Sequence, residues 1–141
     1  MTRFIAHRIN TIKELERLDP QYGVELDLRD SGNRLILCHD PFGDGQDFEE
    51  YLKQYHHGLM ILNIKSERIE HRALELIKKY DIKEYFFLDS SFPMIYLLSS
   101  MGESNIAVRF SEFEGLDTII AMQGKIQWVW VDCFTKLPIN K

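Results

Sequence analysis

Residues 23–40, GVELDLRDSGNRLILCHD, place acidic side chains and a histidine among apolar residues on both sides of one short turn. Glu25, Asp27, His39 and Asp40 all fall within this stretch. Charged side chains at core-facing strand positions are costly unless an ion pair, a metal or a bound ligand compensates them. The stretch therefore predicts a site with a compensating group.

The alternation of side chains along a strand puts Glu25, Asp27 and Arg29 on one face and the intervening apolar residues on the other. Two carboxylates at positions i and i+2 offer hard oxygen ligands to Mg²⁺ or Ca²⁺. A structural ion network with Arg8, Arg29 or Lys65 explains the same two carboxylates equally well. The stretch alone leaves both interpretations open.

Further polar residues follow two other predicted strands. His7 and Arg8 end the first strand, in FIAHR, and Asn63 and Lys65 end another, in MILNIK. The carboxyl ends of parallel strands in α/β folds meet at one face, where sites assemble. Histidines can transfer protons, and a metal with Arg and Lys can stabilise negative charge on phosphate oxygens. The combination favours phosphoryl chemistry.

Short apolar runs alternate with helical patterns, which indicates βαβ units and a mainly parallel sheet. The connection around DSGN is too short for a parallel crossover, so the strands on its two sides form an antiparallel hairpin that returns His39 to Glu25 or its neighbour. Ser66 is the expected N-cap of the clearest helix. The expected strands lie near 3–8, 23–30, 34–39, 59–65, 84–89, 105–110 and 126–132, and the helices near 11–18, 47–55, 67–80, 92–100 and 116–122.

Composition limits the classes of function. The 141 residues carry a formal charge of -5 without a basic block, which disfavours capture of nucleic acid or an anionic membrane. No apolar run approaches the roughly 20 residues of a membrane span, so the chain is expected to be cytoplasmic. Cys38 and Cys133 lie far apart without CxxC spacing and are expected to be small buried thiols.

Two other groups of side chains are expected to have structural roles. His56, His57 and His71 are expected on or near the surface without a role in the site. Trp128 and Trp130 share a strand face with Asp132, and core packing is their expected use.

With these motifs in place, the sequence resembles the glycerophosphodiester phosphodiesterase family of the phosphatidylinositol-specific phospholipase C-like barrels. The family shows an HR(G) after its first strand, an ExD on the second, an HD on the returning strand and an ExK on the next. The corresponding segments are AHRI, ELD, CHDP and NIK, over roughly residues 3–65, and FFLDSSF resembles a later family segment.

The resemblance implies metal-assisted hydrolysis of a phosphodiester, sometimes through a cyclic phosphate. It implies that His7 and His39 are the general acid and base pair, that Arg8 holds the phosphate, and that Lys65 contacts the phosphate or its alcohol. It assigns a divalent metal, Mg²⁺ or Ca²⁺, to Glu25, Asp27 and Asn63. Asp40 is expected to orient its loop and His39.

Three features depart from the family pattern. Ile9 stands where the family has the glycine after HR, which predicts a different backbone there. Asn63 replaces the glutamate of ExK, so the site loses one negative charge unless Asp89, Glu112 or Asp132 supplies it. The third departure is length, since a complete (βα)8 barrel typically needs about 250 residues.

The expected fold is therefore one TIM-barrel-like domain over residues 1–141, with about six βα units, a hairpin, and its last units missing from the readable pattern. Such an open barrel needs a partner chain, as in a homo-oligomer, an unusual closure or the missing segment. The expected function is hydrolysis of a small glycerophosphodiester-like or sugar phosphodiester. The alternatives are a degenerate relative that binds a phosphorylated metabolite, and a purely structural half-barrel.

Overall fold

The computed structural model describes residues 2–139 as a mixed α/β fold. Contacts divide the chain into two compact units, residues 1–85 and 86–141. The strands are β1 (Ile5–Ala6), β2 (Gly23–Ser31), β3 (Arg34–Leu37), β4 (Gln46–Asp47), β5 (Met60–Ile64), β6 (Tyr85–Leu88), β7 (Ala107–Phe110) and β8 (Trp128–Val131). The helices are α1 (Ile12–Leu15), α2 (Phe48–Lys53), α3 (Glu70–Lys79), α4 (Phe92–Ser100) and α5 (Asp117–Ala121).

The long strand β2 organises the sheet of the first unit. Its start pairs in parallel with β1, its end pairs antiparallel with β3, and β5 lies parallel along its other side. The expected hairpin is confirmed: Ser31 pairs with Arg34, so Gly32 and Asn33 form a two-residue turn, with Gly32 at φ 57°. The sequence analysis missed β4, which adds to the edge of β3.

Side-chain alternation along β2 follows the prediction. Val24, Leu26 and Leu28 are fully buried on one face. Glu25 and Asp27, on the other face, are also buried, at 3% and 0% exposure. Both faces of this strand are therefore covered, which is typical of strands with parallel neighbours. Further buried apolar residues of the first unit include Leu15, Ile36, Phe48, Tyr51, Leu52, Met60, Leu62, Leu74 and Ile77.

The side chain of Tyr51 ties α2 to the loop after β1. It is fully buried, and its hydroxyl donates a 2.9 Å hydrogen bond to the carbonyl oxygen of Ile9. Burial, together with the nearby Tyr55 and Glu14, raises the pKa of Tyr51 far above its usual value, so the phenol remains a donor.

We expect Tyr51→Phe to lower the free energy of unfolding by about 1 kcal/mol, because it removes one buried hydrogen bond. Urea denaturation measures this loss, with Tyr96→Phe on the exposed side of α4 as the matched control. Equal unfolding midpoints for the two variants would contradict a stabilising role for the bond.

The prediction that Ser66 is the N-cap of α3 is wrong. The helix begins at Glu70, after Ile69, which makes no side-chain capping bond. Arg68 has φ 65°, a left-handed conformation that interrupts a helix between Ser66 and Glu70. The Ser66 hydroxyl instead accepts a 3.4 Å hydrogen bond from the backbone N–H of Asp30.

The second unit contains the pair of parallel strands β7 and β8, with Ala107 opposite Trp128. An isolated parallel bridge joins Phe87 of β6 to Ile106, just before β7. Trp128 is partly buried and stacks on Phe86 at 4.5 Å between ring centroids. Cys133 is exposed and Cys38 half-buried, so the prediction of two buried thiols is wrong for Cys133; both are free.

The mixed α/β class is confirmed, with strands and helices close to the expected positions. Over residues 2–139 the strand pairs do not close into a barrel, so the TIM-barrel type stays a prediction, as does the single domain. Among the helices of these residues, none combines the length and apolar character needed for a membrane span.

Candidate functional site

The loop after β1 is held against Glu25 by two backbone hydrogen bonds. The N–H of Arg8 donates to Oε2 of Glu25 at 2.9 Å, and the N–H of Ile9 donates to the Glu25 carbonyl at 3.0 Å. Arg8 has φ 56°, so the left-handed residue of this turn is Arg8, and Ile9 lies outside that region. The departure from the family glycine therefore does not force strain at Ile9.

Glu25 is the centre of the cluster. Besides the Arg8 N–H, it accepts a 2.8 Å hydrogen bond from Nδ2 of Asn63 at its other oxygen, Oε1. Nε2 of His7 lies 3.6 Å from Oε2. The side chain of His7 is 72% exposed whereas that of Glu25 is 4% exposed, so the histidine can reach solvent while the carboxylate stays fixed.

Asp27 is fixed by a residue that the sequence analysis did not single out. Nδ2 of Asn10 donates to Oδ2 of Asp27 at 2.8 Å, and the Asp27 N–H donates back to Oδ1 of Asn10 at 2.8 Å. Nζ of Lys65 lies 3.7 Å from Oδ1 of Asp27, as an ion pair longer than a hydrogen bond. The only sequence signal for Asn10 was a short amide side chain in the loop after HR.

Two buried oxygens of this cluster have no hydrogen-bond partner among the described residues: Oδ1 of Asp27 and Oδ1 of Asn63. Asp27 and Asn63 are direct register partners on the parallel strands β2 and β5. Buried acceptors without a donor are costly, and carboxylate and amide oxygens are ligands of Mg²⁺ and Ca²⁺. These two oxygens therefore fit the expected divalent metal.

Few side chains of this cluster could supply oxygen ligands to a metal ion. Within residues 2–139, no group of three or more His, Cys, Asp or Glu side chains is placed to hold a metal. The set therefore consists of two carboxylates, Glu25 and Asp27, and the neutral amide of Asn63. Lower negative charge predicts weaker binding of a divalent cation than in a site with three carboxylates.

His39 joins the cluster through Arg8. Nη2 of Arg8 lies 2.7 Å from Nε2 of His39, and Nδ1 of His39 lies 2.8 Å from Oδ1 of Asp40. A guanidinium can only donate, so Nε2 is the acceptor and Nδ1–H donates to Asp40. This is the tautomer whose Nε2 lone pair can accept a proton, and Asp40 has the orienting position expected for it.

Arg29 has a different role from the one considered in the sequence analysis. It binds neither Glu25 nor Asp27 in the hydrogen bonds of the described residues; it donates to the carbonyl oxygens of Lys65 and His39, each at 2.9 Å. These bonds connect the ends of β5 and of the returning hairpin strand. Arg29 therefore holds in place the backbone that carries two of the expected site residues.

The structure brings all seven predicted site residues into one cluster within the first unit: His7, Arg8, Glu25, Asp27, His39, Asn63 and Lys65. The three carboxylates considered as substitutes for a glutamate at position 63 lie in the second unit, where each has other partners. Asp89 and Asp132 bind Arg109, and Glu112 accepts backbone N–H groups of residues 134–136.

Of the remaining histidines, His71 is exposed on α3, as expected. His56 and His71 are exposed, and His57 is half-buried with Nε2 3.0 Å from the carbonyl oxygen of Leu18. None of the three contacts the cluster in the hydrogen bonds and ion pairs of the described residues.

Comparisons with protein-family models, with curated proteins and with solved structures give no match for this chain. The case for a function therefore depends on the geometry of this cluster.

The contact between His39 and Asp40 predicts a pH dependence. The hydrogen bond from His39 and the charge of its protonated ring hold the pKa of Asp40 below 3.8. The unfolded chain then binds the proton first on acidification, so this contribution to stability is present above about pH 4 and is lost as the pH falls through the folded pKa. We expect the stability difference between the wild type and Asp40→Asn to shrink over that interval.

Urea denaturation of both proteins between pH 5 and pH 2 measures this effect. Asp44→Asn, in the same exposed loop but without a histidine contact, is the matched control. A difference between wild type and Asp40→Asn that does not change with pH would contradict the assignment.

Proposed function

We propose that this chain is a metal-dependent phosphodiesterase of the glycerophosphodiester phosphodiesterase type, which hydrolyses a small glycerophosphodiester-like or sugar phosphodiester. The observation that carries the proposal is the chain of contacts from buried Glu25 through Arg8 to Nε2 of His39. It joins an anionic centre, a phosphate-binding cation and a proton acceptor. The same proposal includes a shortened TIM-barrel fold for this chain.

Glu25, Asp27 and Asn63 would hold the divalent cation, because two of their buried oxygens lack partners. When bound, the cation would withdraw charge from phosphate oxygens. Arg8 and Lys65 are placed beside these ligands, and they would bind the remaining phosphate oxygens. Arg29, whose guanidinium is engaged with backbone carbonyls, would not.

His39 would act as the general base. In the absence of substrate its Nε2 accepts from Arg8. A phosphate that attracts the Arg8 guanidinium releases the Nε2 lone pair, which then takes a proton from the attacking hydroxyl group of water or of the substrate itself. Asp40, bonded to Nδ1, stabilises the imidazolium that forms.

His7 would act as the general acid. Its ring is exposed, and its Nε2 lies 3.6 Å from Oε2 of Glu25. From that position the ring can give a proton to the oxygen of the departing alcohol. The reaction then converts a diester and water into a monoester and an alcohol, with each histidine ending in the other's starting protonation state.

Hydrolysis of bis(p-nitrophenyl) phosphate and of a panel of glycerophosphodiesters, each with Mg²⁺, Ca²⁺ or chelator, tests the proposal. With metal, we expect cleavage of the diesters. We expect little hydrolysis of p-nitrophenyl phosphate, because this compound is a phosphate monoester and the proposed substrate is a diester. Equal activity on the monoester would contradict a phosphodiesterase.

One observation favours a second candidate, a relative that binds a phosphorylated metabolite without cleaving it. The amide N–H of Asn63 donates to Oε1 of Glu25, so this oxygen of an expected metal ligand already accepts a hydrogen bond from a neutral group. Arg8, Lys65 and the two histidines remain able to hold a phosphate. Calorimetry with glycerol 3-phosphate distinguishes the candidates: binding that is unaffected by chelator, without diester turnover, favours the binding protein.

A further inference from the structure

We propose that Phe42 determines the substrate specificity of the site by contacting an apolar alkyl or aryl group on one alcohol of the phosphodiester. Phe42 lies in the loop between β3 and β4, which also carries His39 and Asp40. The inference rests on the proposed function, because it names the class of alcohol that the same site accepts. It assigns Phe42 no part in proton transfer or metal binding.

The loop that carries Phe42 begins at the cluster and is closed at its base. Leu37 of β3 and Gln46 of β4 are antiparallel register partners, so the residues between them form a hairpin connection. The carbonyl oxygen of His39 accepts a 2.9 Å hydrogen bond from Nη2 of Arg29. These contacts fix the two ends of the loop, so its tip has a defined place beside the cluster.

Phe42 has a backbone conformation that a large side chain disfavours. Pro41 and Phe42 are the central residues of a turn, and φ of Phe42 is 62°. A positive φ after a proline is typical of type II turns, which normally have glycine or asparagine at that position. Gly43 follows directly, yet its φ lies outside the left-handed region. The turn therefore places a phenylalanine where glycine would be free of strain.

The side chain of Phe42 makes no contribution to the core that offsets this strain. Its exposure, 105%, is the highest among the large apolar residues that the structure describes. An exposed phenyl ring adds no burial energy to the folded chain, because its apolar surface stays in water. Backbone strain without a gain in packing is a feature of residues that contact a ligand.

The position of Phe42 indicates that this ligand is the substrate. Three peptide units separate Phe42 from His39, so their Cα atoms lie at most about 11 Å apart. Nε2 of His39 lies 2.7 Å from Nη2 of Arg8, the proposed phosphate ligand. A diester with its phosphate at Arg8 therefore has an alcohol group within reach of the loop tip.

The chemistry of the ring favours an apolar alcohol. A phenyl ring gains free energy when apolar surface leaves water, and a hydroxyl-rich alcohol offers little such surface. Asp40 and Asp44, both exposed, lie two residues before and after Phe42 and disfavour an anionic alcohol. A diester of glycerol with an alkyl or aryl alcohol meets both conditions.

Calorimetry tests the inference with the ethyl, butyl and hexyl esters of glycerol 3-phosphate, on the full chain with Ca²⁺ and with chelator. His39→Ala replaces the wild type for any ester that is hydrolysed. We expect the hexyl ester to bind about tenfold more tightly than the ethyl ester, because part of the added chain is buried against the ring. Equal affinity for the three esters, or no binding of any, would overturn the inference.

Two variants of Phe42 assign the preference to the ring. Phe42→Ala should bind the ethyl ester like the wild type and lose the tenfold preference for the hexyl ester. Phe42→Gly should lose the same preference and unfold at the same or a higher urea concentration, because glycine adopts a positive φ without strain. Phe113→Ala, which removes an exposed ring of the second unit, is the matched control and should keep the preference.

The remaining outcomes separate this inference from other roles of the ring. A preference that persists in Phe42→Ala would overturn it, and so would tighter binding of glycerophosphocholine than of the hexyl ester. Binding to phosphatidylcholine vesicles that Phe42→Ala abolishes, with the ester preference intact, would assign the ring to a membrane surface instead. A preference that depends on Phe42, without hydrolysis of any diester, would support the inference and contradict only the proposed catalysis. Hydrolysis without any dependence on chain length would do the reverse.

Discussion

We expect the replacement of His39 with alanine to lower the proposed rate of phosphodiester hydrolysis by about 10³-fold, within the range that a positioned general acid or base supplies. The reason is that Nε2 of His39, the proposed proton acceptor, lies 2.7 Å from Nη2 of Arg8, the proposed phosphate ligand. The measurement is the steady-state rate on the best diester at saturating metal, together with the unfolding midpoint in urea.

The fold should tolerate this change. The His39 side chain is 40% exposed, and its main structural bond is through its backbone carbonyl to Arg29, which alanine retains. His56→Ala is the matched control, because that ring is exposed and its Nδ1 lies 2.9 Å from the carbonyl oxygen of Gln54, away from the cluster. A His39→Ala protein that is folded and as active as His56→Ala would remove His39 from the mechanism.

Asn63→Glu places a carboxylate where the glycerophosphodiester phosphodiesterase pattern has one. We expect it to give the second large effect, with opposite signs in the absence and presence of metal. Without metal, the new carboxylate faces Glu25 in place of the amide that donates to it at 2.8 Å. We expect the free energy of unfolding to fall by about 1–3 kcal/mol, because a buried acceptor loses its donor and gains a like charge.

With Mg²⁺ or Ca²⁺ bound, the same variant should regain the lost free energy of unfolding. A third carboxylate beside Glu25 and Asp27 should raise metal affinity by about tenfold or more, which corresponds to about 1.4 kcal/mol. Thermal unfolding across a metal titration measures both effects, since a ligand bound only by the folded state stabilises it in proportion to the logarithm of its concentration.

Asn33→Glu is the control for this variant, because it adds the same charge at the exposed turn of the β2–β3 hairpin. It should change neither the metal-free stability nor the metal response. If Asn63→Glu is no more stabilised by metal than Asn33→Glu, Glu25, Asp27 and position 63 do not form a metal site.

Much of the first unit could be predicted because its signals are local. The alternation of GVELDLRD requires Glu25 and Asp27 on the face opposite Leu26, and the short DSGN connection requires a hairpin that returns His39. Those two constraints bring residues 14 positions apart into one cluster, through Arg8 in the structure.

Other features depend on contacts that local sequence does not specify. The pairing of Asn10 with Asp27 joins a loop to a strand 17 residues away. Arg29 donates to two backbone carbonyl oxygens and not to the nearby carboxylates in the hydrogen bonds of the described residues. Ser66 resembled an N-cap because its residue type is favoured there. Only the left-handed backbone of Arg68 shows that the helix cannot begin so early.

The side-chain contacts of the second unit were harder to predict, because they join residues that are far apart in sequence. Arg109, Asp89 and Asp132 lie on or directly after three different strands and meet only in the folded unit. Such a cluster of ion pairs becomes visible only when the strands are in place.

The central claim is that the cluster around Glu25 is a metal-dependent phosphodiesterase site. The most direct measurement is the release of alcohol and phosphomonoester from glycerophosphodiesters by the wild-type chain, with Mg²⁺, with Ca²⁺ and with chelator. We expect product with at least one metal, and its loss on chelation. Absence of product with both metals, from protein whose cooperative unfolding shows that it is folded, would contradict the claim.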